Sequence, residues 1–370
     1  MNPKITLLSE ENDVYKFTVS NINVSLANAL RRIILSEIPT LVFYTETYND
    51  NKCNILVNTG RLHNEIVKHR LSCIPIHIEK EQEMNIFVEK YVLELDVKND
   101  TESMIIVTTE NFRIKDKVTQ QYMSKEEVRT IFPPNQTTQS YIDFIRLRPK
   151  IGDSISGEHI KLTCEFSISN AKQNSMFNVV SKCSYGNTPD MVKVNEIWDE
   201  IETKLKSEDN TLEEIDFQKK NFYLLDAQRQ FVADSFDFVI QTVGVFENKY
   251  ILKKACSVLE SKFELFEQSL DDDIVPITLS ETAIEHSYDI ILENEDYTIG
   301  KVLEYFLYDM FYIKNPIFTY CGFKKMHPHN LDSIIRIAYE KNTDKHMLQQ
   351  HLKEASINAK NVFKTLNNLF

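Results

Sequence analysis

Residues Val24 to Pro39 (V-S-L-A-N-A-L-R-R-I-I-L-S-E-I-P) constrain the fold more than any other stretch. Their apolar spacing predicts one short helix with an unusually wide apolar side. Leu26, Leu30, Ile33 and Ile34 form its centre, flanked by Ala27, Ala29 and Ile38. Asn28, Arg31 and Arg32 gather on the opposite side. Asn23 or Ser25 can cap the start. Pro39 ends the helix, because proline disfavours helical geometry in the residue before it. Periodicity alone fits an ordinary core helix with a solvated basic face.

A second copy of the pattern gives the wide arc another purpose. Ser25 to Leu35 matches Thr298 to Tyr308 (T-I-G-K-V-L-E-Y-F-L-Y) by residue class. Leu26, Ala27, Leu30, Ile33 and Ile34 pair with Ile299, Gly300, Leu303, Phe306 and Leu307. A strand after a proline follows each helix (P-T-L-V-F-Y and P-I-F-T-Y), and each half later closes with a strand and a long amphipathic helix. Two such halves can bury their apolar faces against each other about a pseudo-twofold axis, as a homodimer would. A linker raises the effective concentration of the second half. The small residues Ala27 and Gly300 are expected to let the two short helices approach closely.

The remaining organisation follows in chain order. Ile5 to Leu8 and Tyr15 to Val19 read as strands joined by the turn Glu10–Asp13, and Leu41 to Tyr48 as another strand. From Asn49 to about Asp190 short alternating runs predict a mainly β unit inserted into the first domain. Trp198 to Lys219 is acidic and helical, a solvated face or connector. Ser235 to Val243 is a strand, and Lys249 to Leu270 a long helix. Asp271 to Pro276 reads as a linker. Beyond it come strands over Ile284 to Leu292, Ile317 to Phe323 and Ser333 to Tyr339, a helix over Ile299 to Met310, and a final helix over Asp344 to Phe370. The expected domains are 1–48 with 191–270, an insert over 49–190, a linker at 271–276, and a last domain over 277–370.

Composition narrows the function classes. A chain of 370 residues can bury two or three cores. A formal net charge of -13 opposes unaided, sequence-nonspecific binding of nucleic acid. The six cysteines form no C-x-x-C pair, which predicts reduced intracellular thiols rather than a disulfide framework or zinc ribbon. Seven glycines leave little for phosphate-binding loops. No signal peptide or membrane span is expected.

Four motifs in the first 270 residues together resemble the RNA polymerase alpha-like family, which includes the bacterial alpha subunit, the archaeal D subunit and the eukaryotic third-largest subunit. They are Ser25 to Pro39; His63 to Ile76 with its H-R-L-x-x-I-P core; Phe144 to Ile155 (F-I-R-L-R-P-K-I-G-D-S-I) leading into His159 to Cys164; and Ser235 to Gly244. The last hundred residues resemble the eleventh subunit of RNA polymerase II and the archaeal L subunit, through Glu295 to Leu303, Asn315 to Phe323, His327-Pro328 and Ile334 to Tyr339. A chain joining both resembles polypeptides of large cytoplasmic DNA viruses.

The resemblance implies an α+β fold: two alpha-like dimerisation halves in one chain, forming a pseudo-heterodimer with a mainly β insert in the first half. It implies a noncatalytic assembly subunit of a DNA-directed RNA polymerase, docking the two large catalytic subunits and smaller ones, located in the cytoplasm or virion. The internal dimerisation residues would be Leu26, Ala27, Leu30, Ile33, Ile34, Ile299, Gly300, Leu303, Phe306 and Leu307. Arg31 and Arg32 match the family's R-R, which faces the second-largest subunit, with Asn28 on the same side. His69 and Arg70 match the H-R of the second motif, as contacts with that subunit or buttresses of a loop. No cysteine lies between Cys73 and Cys164, so neither the zinc nor the iron–sulfur cluster of some relatives is carried over, and no cofactor is expected. Direct sequence-specific DNA binding is not expected either, since the separate DNA-binding domain of the bacterial subunit has no counterpart here.

Other candidates are weaker. His63, His69, Cys73 and His77 fit no standard zinc spacing. Arg146, Arg148 and Lys150 alternate on a strand, as a solvated face or a contact for an acidic partner. No Ser/His/Asp or Cys/His constellation suggests catalysis. A freestanding dimer-like scaffold outside transcription is the rival function.

Overall fold

The computed structural model describes every residue except Asn12, Asp153, Asp209, Thr282 and Ala283. Asn12 of the expected Glu10–Asp13 turn and Asp153 of the third motif therefore lie outside the described residues. In chain order the strands are β1 (Lys4–Glu11), β2 (Val14–Ser20), β3 (Thr40–Val42), β4 (Cys53–Asn58), β5 (Tyr91–Lys98), β6 (Ile105–Thr108), β7 (Arg113–Asp116), β8 (Asp143–Leu147), β9 (His159–Glu165), β10 (Ser167–Ser169), β11 (Val180–Pro189), β12 (Phe231–Thr242), β13 (Ile277–Leu279), β14 (Ser287–Leu292), β15 (Phe318–Lys324) and β16 (Ser333–Tyr339). The helices are α1 (Val24–Ser36), α2 (Asn64–Ser72), α3 (Glu81–Lys90), α4 (Lys125–Ile131), α5 (Met191–Ser207), α6 (Leu212–Leu224), α7 (Asn248–Asp271), α8 (Tyr297–Tyr308) and α9 (Lys345–Leu369).

The chain divides into two compact units. One comprises Met1–Ile34, Lys182–Gln241 and Asn248–Phe370; the other Leu35–Ser181 and Thr242–Glu247.

The first unit holds two four-stranded antiparallel sheets, in the orders β1-β2-β12-β11 and β13-β14-β16-β15. The two orders are the same when β1, β2, β11 and β12 are matched to β13, β14, β15 and β16. Each sheet is served by a short helix after its second strand (α1, α8) and a long helix after its last (α7, α9). The internal repeat is thus a repeat of topology, with one correction. The strand after Pro39 is not the counterpart of the strand after Pro316. β3 pairs antiparallel with β10 in the other unit. The partner of β15 in the repeat is β11, which arrives only after the inserted residues. The insertion begins within α1, where the second half simply turns into its third strand.

Burial explains each element. In β2 alternate residues Tyr15, Phe17 and Val19 are buried, as a sheet with one covered face requires. Phe17 lies opposite Phe238 of β12 and stacks on it at 5.2 Å. In the second sheet Ile290 faces Ile335, and both are fully buried. Beside them Asp289 takes a two-pronged bond from Arg336, at 2.6 and 2.8 Å.

The acidic stretch expected as one helical connector is a helical hairpin. α5 and α6 enclose their own small core of Val194, Trp198, Ile215 and Phe222. Its charges lie outside while Trp198 Nε1 donates to Glu202 at 3.0 Å. The sequence carried the break as a capping box: Thr211 and Glu214 satisfy each other's backbone N–H groups.

The second unit contains the sheet β4-β9-β5-β7 and the pairs β3–β10 and β6–β8. Its core is a run of aromatic rings through Phe43, Phe166 and Phe87 and through Phe132, Phe112 and Phe144. It also carries α2, α3 and α4, which its alternating pattern did not suggest. α2 buries only Val67, Leu71 and Ser72, too short a stripe to stand out as helical. The start of α4 was visible as the capping box Ser124–Glu127.

Candidate subunit interface

The two halves of the first unit meet along α7 and α9, which run antiparallel, since the partners of Lys353, Lys360, Phe363 and Asn367 are Asp271, Glu267, Phe263 and Glu260. Their facing stripes are apolar in the middle: Ile251, Leu252, Ala255, Leu259 and Phe263 on α7, and Leu348, Leu352, Ala355, Ala359, Val362, Phe363 and Leu366 on α9, all buried. Phe263 stacks on Phe363 with ring centroids 5.9 Å apart. Alanines among these residues let the helices come close. Polar pairs fix the register. Ser356 Oγ donates to the Phe263 carbonyl at 3.2 Å, and Lys360 pairs with Glu267 at 2.6 Å. Lys353 pairs with Asp271 at 2.7 Å, and Asn367 donates to Glu260 at 3.0 Å. Phe370, beyond α9, meets the edge of Phe17 in the first sheet at 5.3 Å. The last residue of the chain thus packs on the core face of the first sheet.

Leu26, Ala27, Leu30, Ile33 and Ile34 on α1 are buried, as are Ile299, Gly300, Leu303, Phe306 and Leu307 on α8. Gly300, however, does not open space for α1. A Cβ there would lie 1.9 Å from the ring of Phe323 on β15, so the missing side chain admits an aromatic ring of its own half. α8 packs against α9, β15 and β16 of its own half.

A polar contact joins α1 to α8. Arg32 pairs with Asp296 and donates from Nε to Thr298 Oγ1 at 2.8 Å. Asp296 is the N-cap of α8, accepting from the Thr298 backbone N–H at 2.9 Å. Arg32 is thus engaged by the second half, and not simply presented on an outer face. Arg31 is different. It is half-buried, donates to Asn28 Oδ1 at 3.1 and 2.9 Å, and forms no ion pair among the described residues. Its charge lies near Cys183, whose thiol burial pushes up to about 12. Of the two arginines, Arg31 with Asn28 is the one whose charge is not already neutralised.

In the second unit, Arg70 ties α2 to β8, donating to the carbonyls of Phe144 and Asp143 at 2.7 Å each. It has a structural task that leaves its outer face exposed; His69 beside it is exposed as well. His77 hydrogen-bonds the Ile131 carbonyl through Nδ1 at 3.2 Å, and burial lowers its pKa. Arg148 pairs with the buried Glu158, and Arg146 with Asp143 at 3.3 Å. Among the described residues, no three His, Cys, Asp or Glu side chains are grouped to hold a metal ion. No helix among them is long and apolar enough to cross a membrane.

The model of the RNA polymerase Rpb3/Rpb11 dimerisation domain matches residues 16–263. The chain is 23% identical over 299 residues to the Dictyostelium discoideum DNA-directed RNA polymerases I and III subunit rpac1, covering 73% of this chain and 82% of that protein. It is 24% identical over 288 residues to the DNA-directed RNA polymerase subunit Rpo3 of Methanosphaera stadtmanae, covering 71% and 96%. A conjugation stage-specific protein of Tetrahymena thermophila is 24% identical over 311 residues, covering 73% and 96%. The family match ends inside α7, so the second half lies outside it.

Proposed function

Because the chain belongs to the RNA polymerase Rpb3/Rpb11 dimerisation-domain family, we propose that it is a noncatalytic assembly subunit of a DNA-directed RNA polymerase which supplies both members of the alpha-like pair from one polypeptide. The observation that carries this reading is the repeated strand order, with its α7–α9 seam. A protein that must recruit a separate partner would leave the apolar stripe of α7 uncovered. Here α9 covers it, and the linker keeps α9 at high local concentration.

The pair then docks the two large catalytic subunits and smaller polymerase subunits. Arg31 and Asn28 on α1 offer one contact and His69, with the exposed face of Arg70, another. Arg31 is suited to this because a guanidinium held by one amide keeps donors for an incoming carboxylate or carbonyl. Arg32 contributes less directly, by fixing α1 against the cap of α8. The joining of both halves, which resembles polypeptides of large cytoplasmic DNA viruses, supports a cytoplasmic viral protein, and on this reading the chain needs no cofactor and binds DNA only through the assembled enzyme.

The test is affinity purification of the tagged chain from its native cells, with mass spectrometry of what comes with it. Two very large polymerase subunits in stoichiometric amount are expected. Recovery of the chain alone, or with proteins unrelated to transcription, would instead favour a freestanding scaffold.

A further inference from the structure

Two cysteines of the second unit stand directly opposite each other on neighbouring strands. Cys53 opens β4 and is paired in register with Cys164 of β9. Residues opposed in an antiparallel pair have Cα atoms about 4.5–5.5 Å apart, within the range a disulfide spans. Both side chains are buried, and both are free thiols. β4 is the outer strand of its sheet, and Cys53 sits at its first residue, next to Asn51 and Lys52.

The two sulfurs are not equivalent. The hydrogen bond with Cys164 and the charge of Lys68 hold the Cys53 thiol below its usual range. Burial pushes Cys164 well above it. The buried Cys183 and the half-buried Cys321 have no such cysteine partner, and desolvation raises both to about 12.

We propose that Cys53 and Cys164 are a reversible redox pair, oxidised by a hydroperoxide to a cross-strand disulfide that pins the edge strand β4 to β9. The Cys53 thiolate attacks the outer oxygen of the hydroperoxide, breaking the O–O bond. It becomes a sulfenic acid while the alcohol (water, from hydrogen peroxide) departs with the proton. Cys164 sulfur then attacks Cys53 sulfur. The S–S bond forms as the S–O bond breaks, and the Cys164 proton leaves with the hydroxyl as water. Two thiols and one hydroperoxide give one disulfide, one alcohol and one water. A dithiol reductant reverses the result.

The experiment treats the purified full chain with hydrogen peroxide, alkylates the remaining thiols, and maps the peptides by mass spectrometry. A peptide linking Cys53 to Cys164 is expected, lost on reduction with dithiothreitol, while Cys183, Cys256 and Cys321 remain alkylated. In Cys164→Ser, dimedone is expected to label Cys53. Free thiols at both positions under conditions that oxidise the exposed Cys73 would overturn the proposal, and so would a link from Cys53 to any other cysteine. The wild-type map decides the matter even where a serine variant folds poorly.

Discussion

Arg32 on α1 is ion-paired with Asp296, and Asp296 at the same time caps α8 through Thr298. One carboxylate therefore serves two halves of the molecule. It satisfies the first turn of a helix and receives the charge of a residue more than two hundred and fifty positions earlier.

Arg32→Ala is expected to destabilise the chain by about 1–2 kcal/mol, since a charge-assisted bond is lost but both groups are partly solvated. Arg31→Ala should leave the denaturation midpoint nearly unchanged and weaken recovery of the large subunits in the purification above. Urea melts of both variants beside that purification separate the two roles. Equal effects on stability would refute the division of labour between neighbouring arginines.

Gly300→Ala sets two effects against each other. Alanine favours a helix interior by about 1 kcal/mol over glycine. Here its methyl group would collide with the ring of Phe323, and such overpacking typically costs about 1–3 kcal/mol. The variant should be less stable, and adding Phe323→Ala should turn the Gly300 change neutral or favourable. A double-mutant cycle measures this coupling. Additive effects would mean that the ring does not set the requirement for glycine.

The seam between α7 and α9 can be probed at Phe363, which is fully buried and stacked on Phe263. Phe363→Ala should cost about 3–5 kcal/mol, from lost burial and the cavity left behind. Because the seam joins both halves, calorimetry should show their transition weakening as one event. A separate early melt of the last hundred residues alone would show that the halves fold independently.

His351 predicts a pH dependence. Its imidazole is buried against Phe311 and Phe318, and Nδ1 meets the Tyr339 hydroxyl at 2.9 Å. Burial lowers its pKa below the ordinary 6.5, outweighing the opposing charge of Glu354. The folded chain then binds fewer protons than the unfolded chain just below that pH. Stability from this group is present above about pH 6.5 and is lost as the pH falls toward the lower folded value. His351→Gln keeps a hydrogen-bonding partner for Tyr339 but does not titrate. Urea midpoints between pH 7 and 5 (values spanning the ordinary His pKa) should fall less steeply in the variant than in the wild type. Parallel curves would exclude His351 as a source of the acid sensitivity.

The amphipathic faces of α1, α7, α8 and α9, the class-by-class match of α1 to α8, and the family were legible in the residues alone. These rest on local periodicity and short motifs, which survive without knowledge of what lies opposite. What lies against each face depended on the folded arrangement. A helical stripe reports that one side is apolar, not whether a helix or a ring such as Phe323 fills it. A strand after a proline reports an extended segment, not its hydrogen-bonding partner, so β3 could not be told from the true counterpart β11. Arg31 and Arg32 are adjacent in the chain and alike in chemistry, and about 100° of helical rotation carries one to Asp296 and leaves the other held by Asn28.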